Sequence, residues 1–260
     1  MKLLITGGSG FIGTNLIIHI LENYDIEFVN IDIKNPTLEI HNKYWVNIDI
    51  NNLESLTNFI NTYMPSHIIN LAADVGVDIK NISDFKTNII GVQNILDACN
   101  NKEFIKHIVF TSTLLVCKIG YYPSSDTDYC PSTVYGESKV EGEKLVRKFK
   151  SPNFDWTIVR PISIWGPWCN EPYFNFFKSV MKGWYFHVGR GDYKRSLGYV
   201  GNTVQHIFGI LIADKSKVSQ KTFYLADLEP VDLKSMSETI RDEIGTNKIH
   251  TLPLIFAKFF

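Results

Sequence analysis

The chain has 260 residues, 45% apolar and 20% charged, as in an ordinary soluble protein able to form one domain, or one with a smaller lobe. Lys and Arg number 26 against 27 Asp and Glu, so the charge balance gives no footprint for a nucleic-acid partner, and any anionic ligand is to be held by local groups. No apolar run reaches membrane-span length, the start reads as free of a signal peptide, and the four widely spaced cysteines contain no CxxC pair, so a cytoplasmic protein with neither metal site nor disulfides is expected.

Residues 2–13, KLLITGGSGFIG, read as an apolar strand over 2–6, glycines at 7, 8, 10 and 13, and then a periodic helix over 14–21. Strand, glycine turn and helix in that order form a dinucleotide-binding start. Gly8 and Gly10 suit a tight turn close to a pyrophosphate, and Gly13 lets the helix pack on the strand. The helix N-terminus offers free N–H groups to the phosphates. Gly7, Gly10, Phe11, Ile12 and Gly13 are therefore candidate cofactor residues.

Residues 27–33 (EFVNIDI) predict a second strand ending near Asp32. An acidic residue there accepts hydrogen bonds from a ribose diol and repels a 2′-phosphate, which favours NAD over NADP. Lys34 softens that preference. A third strand is expected over 44–50 (YWVNIDI) and a helix over 52–63, stopped by Pro65. The apolar run 67–72 (HIINLA) predicts a strand buried on both faces, with small Ala72 and Ala73 at its end. A helix follows over 84–100, and 106–113 (KHIVFTST) is the fifth strand. This alternation predicts an α/β fold, a doubly wound parallel sheet of Rossmann type.

Thr111, Ser112 and Thr113 close the fifth strand at the edge where ligands of open α/β sheets bind. Farther on, Tyr135-Gly-Glu-Ser-Lys139 opens a helix continuing to Lys148, with Tyr135 and Lys139 on one face. By itself this is an everyday helix-surface pair. Beside a dinucleotide turn it gains a chemical meaning. A free tyrosine titrates at about 10, and a neighbouring ammonium is expected to lower that value. A hydroxyl such as Thr113 can hydrogen-bond both the phenol and a substrate oxygen, so the set can move a proton while a nicotinamide takes or gives hydride.

With these motifs in place, the chain resembles an extended short-chain dehydrogenase/reductase of the NAD-dependent epimerase/dehydratase family, which modifies nucleotide sugars. ITGGSGFIG, Asp32, Asp49-Ile50, NLAA (70–73), NIIGVQNILDAC (88–99), FTST, YGESK, VRPISIWGP (159–167) and RSLGYVGN (195–202) match nearly its whole length. The resemblance implies that Asp49 and Ile50 sit by the adenine. It further implies that Leu71, Ala72, Ala73, Asn88, Pro161 and Ser163 line the cofactor, with Tyr135 and Lys139 touching it too. Thr113, Tyr135 and Lys139 would be the catalytic set, and Arg195 would bind the substrate's diphosphate, as would suit a guanidinium. A homodimer pairing the helices around 88–99 and 135–148 is also implied.

The departures narrow the chemistry. Sugar 4,6-dehydratases of this family carry Asp and Glu directly after the catalytic Thr; here those positions are Leu114 and Leu115, which move no proton. The GDP-fucose synthase branch places a cysteine where Leu115 stands. What remains is redox chemistry at one sugar carbon, C4, as a 4-epimerase or a 4-keto-sugar reductase. Cys117, at a position often tyrosine in the family, reads as a packing residue. Residues 1–165, rejoined by 196–228, are expected to form the NAD-binding domain; 166–195 and 229–260 are expected to form a substrate lobe. That lobe is rich in aromatics, one or two of which suit a nucleobase; Arg190 and Lys194 read as surface charges and His187 as structural. Family members usually run some tens of residues further, so part of the lobe is expected to be missing after the apolar LPLIFAKFF. The competing reading is an NAD(H)-binding sensor or interaction protein of the same fold without turnover.

Overall fold

A computed structural model describes residues 1–76, 79–150, 153–169, 173–189 and 194–253. In chain order the first half comprises β1 (Lys2–Thr6), α1 (Phe11–Asn23), β2 (Glu27–Ile31), β3 (Trp45–Val46), α2 (Leu53–Tyr63), β4 (His67–Asn70), α3 (Val92–Cys99), β5 (His107–Thr111) and α4 (Val134–Lys148). The second half comprises β6 (Asp155–Pro161), β7 (Ser163–Trp165), α5 (Tyr173–Met181), β8 (Phe186–Val188), β9 (Lys194–Arg195), β10 (Leu197–Tyr199), α6 (Val200–Ile212), α7 (Lys215–Val218), β11 (Lys221–Leu225), β12 (Val231–Asp232), α8 (Leu233–Ile244) and β13 (His250–Leu252).

Seven strands form one parallel sheet in the order β11-β6-β5-β4-β1-β2-β3. The expected Rossmann-type sheet is what the chain forms. Its inner strands are buried on both faces. One face packs Leu4, Ile68, Ile108 and Ile158 against α2, α3 and α4; the other packs Leu3, Ile5, Ile69 and Val109 against α1 and α6. The strand order reverses between β1 and β4, and a crevice opens there outside the carboxyl ends of the strands, the ligand position in such sheets. Three short two-stranded pairings, β7 with β10, β8 with β13 and β9 with β12, complete the later part.

Local chemistry sets the helix starts. Asn52 accepts from the Ser55 N–H at 3.0 Å to cap α2, and Thr133 accepts from the Gly136 N–H at 3.0 Å to cap α4. The second cap fixes where Tyr135 begins its turn.

Several boundaries differ from the sequence reading. The third strand pairs only over Trp45–Val46; beyond it the Asp49 carboxylate takes the Asn51 N–H at 2.8 Å and the chain turns into α2. β4 stops at Asn70 and β5 at Thr111, since the residues after them leave the sheet towards the crevice. The helix expected from residue 84 begins as a 3-10 turn, passes through a π-helical turn at Thr87–Gly91, and becomes α-helical only at Val92. Within the wide turn the Asn88 amide joins Asp74 and Ser138, a bond set that periodicity does not encode. Arg190 and residues 254–260 of the apolar end lie outside the described residues.

Candidate active site

The glycine turn is built as its sequence requires. Gly7 has φ +73°, and a Cβ there would stand 2.5 Å from the Ala72 backbone nitrogen. A Cβ on Gly13 would stand 2.4 Å from Gly8 Cα, so the first helical turn can touch the loop only without a side chain. Thr14 donates the first helical bond, to Gly10 O at 2.8 Å. The N–H groups of Phe11, Ile12 and Gly13 precede it and face ligand space without acidic neighbours in that turn. Asp32 is half-buried at the end of β2; one carboxylate oxygen accepts the Ser9 N–H at 3.0 Å and the other the Lys34 N–H at 2.9 Å. The two bonds fix the carboxylate beside the turn.

A cavity of about 600 Å³ runs from this turn across the strand ends. Its wall includes Gly7, Gly10, Phe11, Ile12, Gly13 and Asp32 at one end, Asp49, Ile50, Leu71, Ala72 and Ala73 along the middle, and Thr113, Tyr135, Lys139 and Pro161 at the other. The sequence reading thus has most of its candidates on one surface. Three are elsewhere. Asn88 is fully buried: its Oδ1 accepts the Asp74 N–H at 3.0 Å, and its Nδ2 donates to Asp74 O at 3.0 Å and Ser138 Oγ at 2.9 Å, so it braces the wall from behind. Ser163 lies on β7 while its neighbours Ile162 and Ile164 take the cavity side. Arg195 is exposed on β9, paired with Val231 of β12, and does not line the cavity.

Thr113 lies two residues past β5 and caps a 3-10 turn, Leu114–Val116, through a bond from the Leu115 N–H at 3.2 Å. Its hydroxyl also hydrogen-bonds the Tyr135 phenol. Burial pushes that phenol up to about 12, and the Thr113 bond pulls it back in part. The lowering expected from Lys139 is not found: burial raises the phenol, and the Thr113 bond alone opposes it. Lys139 Nζ instead donates to Thr111 O at 3.0 Å. Burial draws its ammonium down to about 8, opposed by the carboxylates of Glu143 and, less strongly, Asp74. His187 is buried, with Tyr185 Oη 3.3 Å from its Nδ1, and Cys117 is buried with its thiol donating to Asp128 O.

Sequence reasoning missed the groups behind this set. Glu143, one helical turn beyond Lys139, and Arg160, the last residue but one of β6, are buried and ion-paired at 2.7 Å. An arginine inside a strand apolar on both sides was the available signal, since buried charges are paired.

The profile of the NAD dependent epimerase/dehydratase family matches residues 3–226. The chain belongs to the NAD-dependent epimerase/dehydratase family. Among relatives of this epimerase/dehydratase chain, the N-acetyl-α-D-glucosaminyl-diphospho-ditrans,octacis-undecaprenol 4-epimerase of Escherichia coli O157:H7 is 28% identical over 79% of this chain and 62% of its own. UDP-glucuronate 4-epimerase 2 of Arabidopsis thaliana is 25% identical over 97% of this chain and 67% of its own. The chain thus spans about two thirds of the length of these curated relatives. The structure of UDP-glucuronic acid 4-epimerase from Bacillus cereus, in complex with UDP-glucuronic acid and NAD, superposes with a TM-score of 0.77 at 22% identity, covering 98% of this chain and 86% of that one. At that identity the likeness shows the shared fold.

The residues present fit the dinucleotide that the family name implies. The glycine cradle leaves no room for side chains, the first residues of α1 line the cavity where a helix start has N–H groups to offer, and Thr111 Oγ1, on the cavity wall, is buried without a hydrogen-bond partner. No helix among the described residues is long and apolar enough to cross a membrane.

Proposed function

We propose that this protein performs NAD-dependent redox chemistry at C4 of a nucleotide-activated sugar, as a 4-epimerase or a 4-keto-sugar reductase. The observation that carries the reading is the convergence of Thr113, Tyr135 and Lys139 on the same cavity as the glycine turn and Asp32. NAD, when bound, supplies the hydride acceptor or donor. Tyr135 takes the proton from the C4 hydroxyl during oxidation and returns it to the carbonyl oxygen during reduction. Thr113 shares its hydroxyl with that oxygen and the phenol. A phenol held at about 12 is a poor base alone, so the Lys139 charge is needed to stabilise its ionised form.

Leu114 and Leu115 follow Thr113 without an acid or base, which argues against elimination of water. The Asp32 carboxylate supports NAD over NADP. Residues 1–165 with 196–228 would form the cofactor domain, 166–195 and 229–260 the substrate lobe, with Arg195 acting there on the diphosphate. A homodimer through α3 and α4 belongs to the same reading; light scattering on the purified protein tests it.

The decisive experiment is an NMR product assay over a panel of nucleotide sugars and 4-keto sugars, with and without added NADH. The relatives' names put UDP-glucuronate and N-acetylglucosaminyl-diphospho-undecaprenol in that panel. Turnover without added NADH marks an epimerase, and dependence on it marks a reductase. Tyr135→Phe is expected to lower kcat about 10²–10⁴-fold while sparing NADH binding. Full activity in that variant would refute the mechanism; bound NAD(H) with no turnover on any substrate would favour the sensor reading.

A further inference from the structure

Ser112 stands between the two residues of β5 and its exit that meet the proposed reacting groups. The Thr111 carbonyl before it receives Lys139 Nζ at 3.0 Å, and the Thr113 hydroxyl after it meets the Tyr135 phenol. Ser112 itself is buried and serves neither. Its N–H donates to Val159 O at 2.7 Å, tying the segment to β6, and its hydroxyl donates to Glu143 Oε1 at 2.5 Å, tying it to α4.

Glu143 is placed to act as an anchor. It lies four residues after Lys139 on α4 and shares with it the wall of a second, small cavity of about 20 Å³ at the strand end. Besides Ser112, three side chains hold its carboxylate. Arg160 of β6 donates Nε to Oε1 at 2.8 Å and Nη2 to Oε2 at 2.7 Å, the Tyr129 hydroxyl donates to Oε2 at 2.9 Å, and Arg147 Nη2 reaches Oε2 at 3.4 Å. The rest of the Arg160 guanidinium is held in turn by the Tyr224 hydroxyl at 2.7 Å and the Asp126 carbonyl at 2.6 Å. A carboxylate bound by that many donors has one position and one rotamer. Burying such a pair is weak support for stability compared with apolar packing, so fixed geometry is the larger return.

We infer that Glu143 is a positioning residue: locked by Arg160, it uses the Ser112 hydroxyl to hold the β5 exit so that the Thr111 carbonyl and Thr113 hydroxyl stay in register with Lys139 and Tyr135. The inference rests on the proposed function, because it takes Tyr135 and Lys139 as the reacting pair. Without the tie, Ser112 itself keeps only its backbone bond to Val159, and displacement of about 1 Å at a catalytic group costs on the order of 100-fold in rate.

The test compares Ser112→Ala, Glu143→Gln, the double variant and Tyr135→Phe. Ser112→Ala removes one hydrogen bond and leaves the ion pair whole, so it reports on the tie even where Glu143→Gln fails to fold. Its kcat is expected to fall by about tenfold or more with KM and NADH affinity held. Hydrogen exchange in the peptide spanning residues 110–116 is expected to quicken while the rest of the sheet keeps its protection. Where Glu143→Gln folds, the double variant is expected to be no slower than the worse single variant, because both changes cut one tie. Wild-type kcat and unchanged exchange in Ser112→Ala would overturn the inference, as would losses that multiply in the double variant. Turnover that survives Tyr135→Phe defeats the proposed chemistry instead, and the exchange result then decides the tie by itself.

Discussion

The close approach of α1 to its own loop gives a sharp prediction. An alanine Cβ at position 13 would stand 2.4 Å from Gly8 Cα and 2.6 Å from Gly7 O. Ordinary carbon–carbon contact is about 3.5–4.0 Å, so the turn has to open by roughly 1 Å. Both neighbours are backbone atoms, and no side chain can swing aside. Overpacking of this kind costs about 1–3 kcal/mol. The strain falls on the N–H groups that are to grip the pyrophosphate, and 1.4 kcal/mol corresponds to tenfold in affinity, so NADH binding in Gly13→Ala should weaken by about tenfold or more. Gly209 is the control. It sits exposed in α6 with nothing within 4 Å of its would-be Cβ, so Gly209→Ala should gain about 0.4–1 kcal/mol through the unfolded chain. That gain corresponds to a rise of about 1–4 °C in Tm. NADH fluorescence titration and thermal unfolding of both variants check the pair. A folded Gly13→Ala that binds NADH like the parent would refute the steric reasoning.

Other outcomes follow from the same geometry. Arg160→Met takes its nearer cation from the buried Glu143 carboxylate, leaving Arg147 at 3.4 Å, and should cost about 3–5 kcal/mol, read as a lower urea midpoint; an unchanged midpoint would remove the ion pair from the account. His67 is held down to about 4 by burial, from 6.5 in the unfolded chain. Between those values the unfolded chain binds the extra proton, so His67 lowers stability as the pH falls from 6.5 towards about 4; His67→Gln should flatten that slope in urea titrations, and an identical slope would show that other groups set it. Asp32→Ala removes the carboxylate beside the turn and should cut the preference for NADH over NADPH by about tenfold, measured by parallel titrations; an unaltered ratio would acquit Asp32 of that role.

The sequence announces the sheet through strands that must be apolar on both faces, and β1, β2, β4 and β5 stand close to their expected places for that reason. Composition is a poor guide where the chain leaves the sheet. The run 44–50 alternates well enough for a strand, yet only Trp45–Val46 pair, because Asp49 and Asn52 direct the backbone into α2. The π turn at Thr87–Gly91 escapes periodicity because it is held by the Asn88 side chain bonding to distant groups. In the site, the glycine turn and the Tyr135–Lys139 spacing are legible because one local segment supplies each. The Ser112–Glu143–Arg160 tie joins β5, α4 and β6, and only the folded sheet brings those together. Nor could spacing show that burial raises the Tyr135 phenol while Lys139 turns to the Thr111 carbonyl.

The strand order also sets a timetable for synthesis. β1 leaves the ribosome first yet occupies the interior of the sheet, so Leu3, Leu4 and Ile5 wait for β2 on one side and for His67–Asn70 on the other. β6 waits as long as β1 does: its outer neighbour, Lys221–Leu225, is made only after the whole intervening stretch of β7 to α7. Until then a nascent chain presents β6 as an open, apolar strand edge, the kind of template on which copies pair with one another. The interval between Pro161 and Lys221 is therefore a stretch of translation in which the growing chain is open to pairing with its copies.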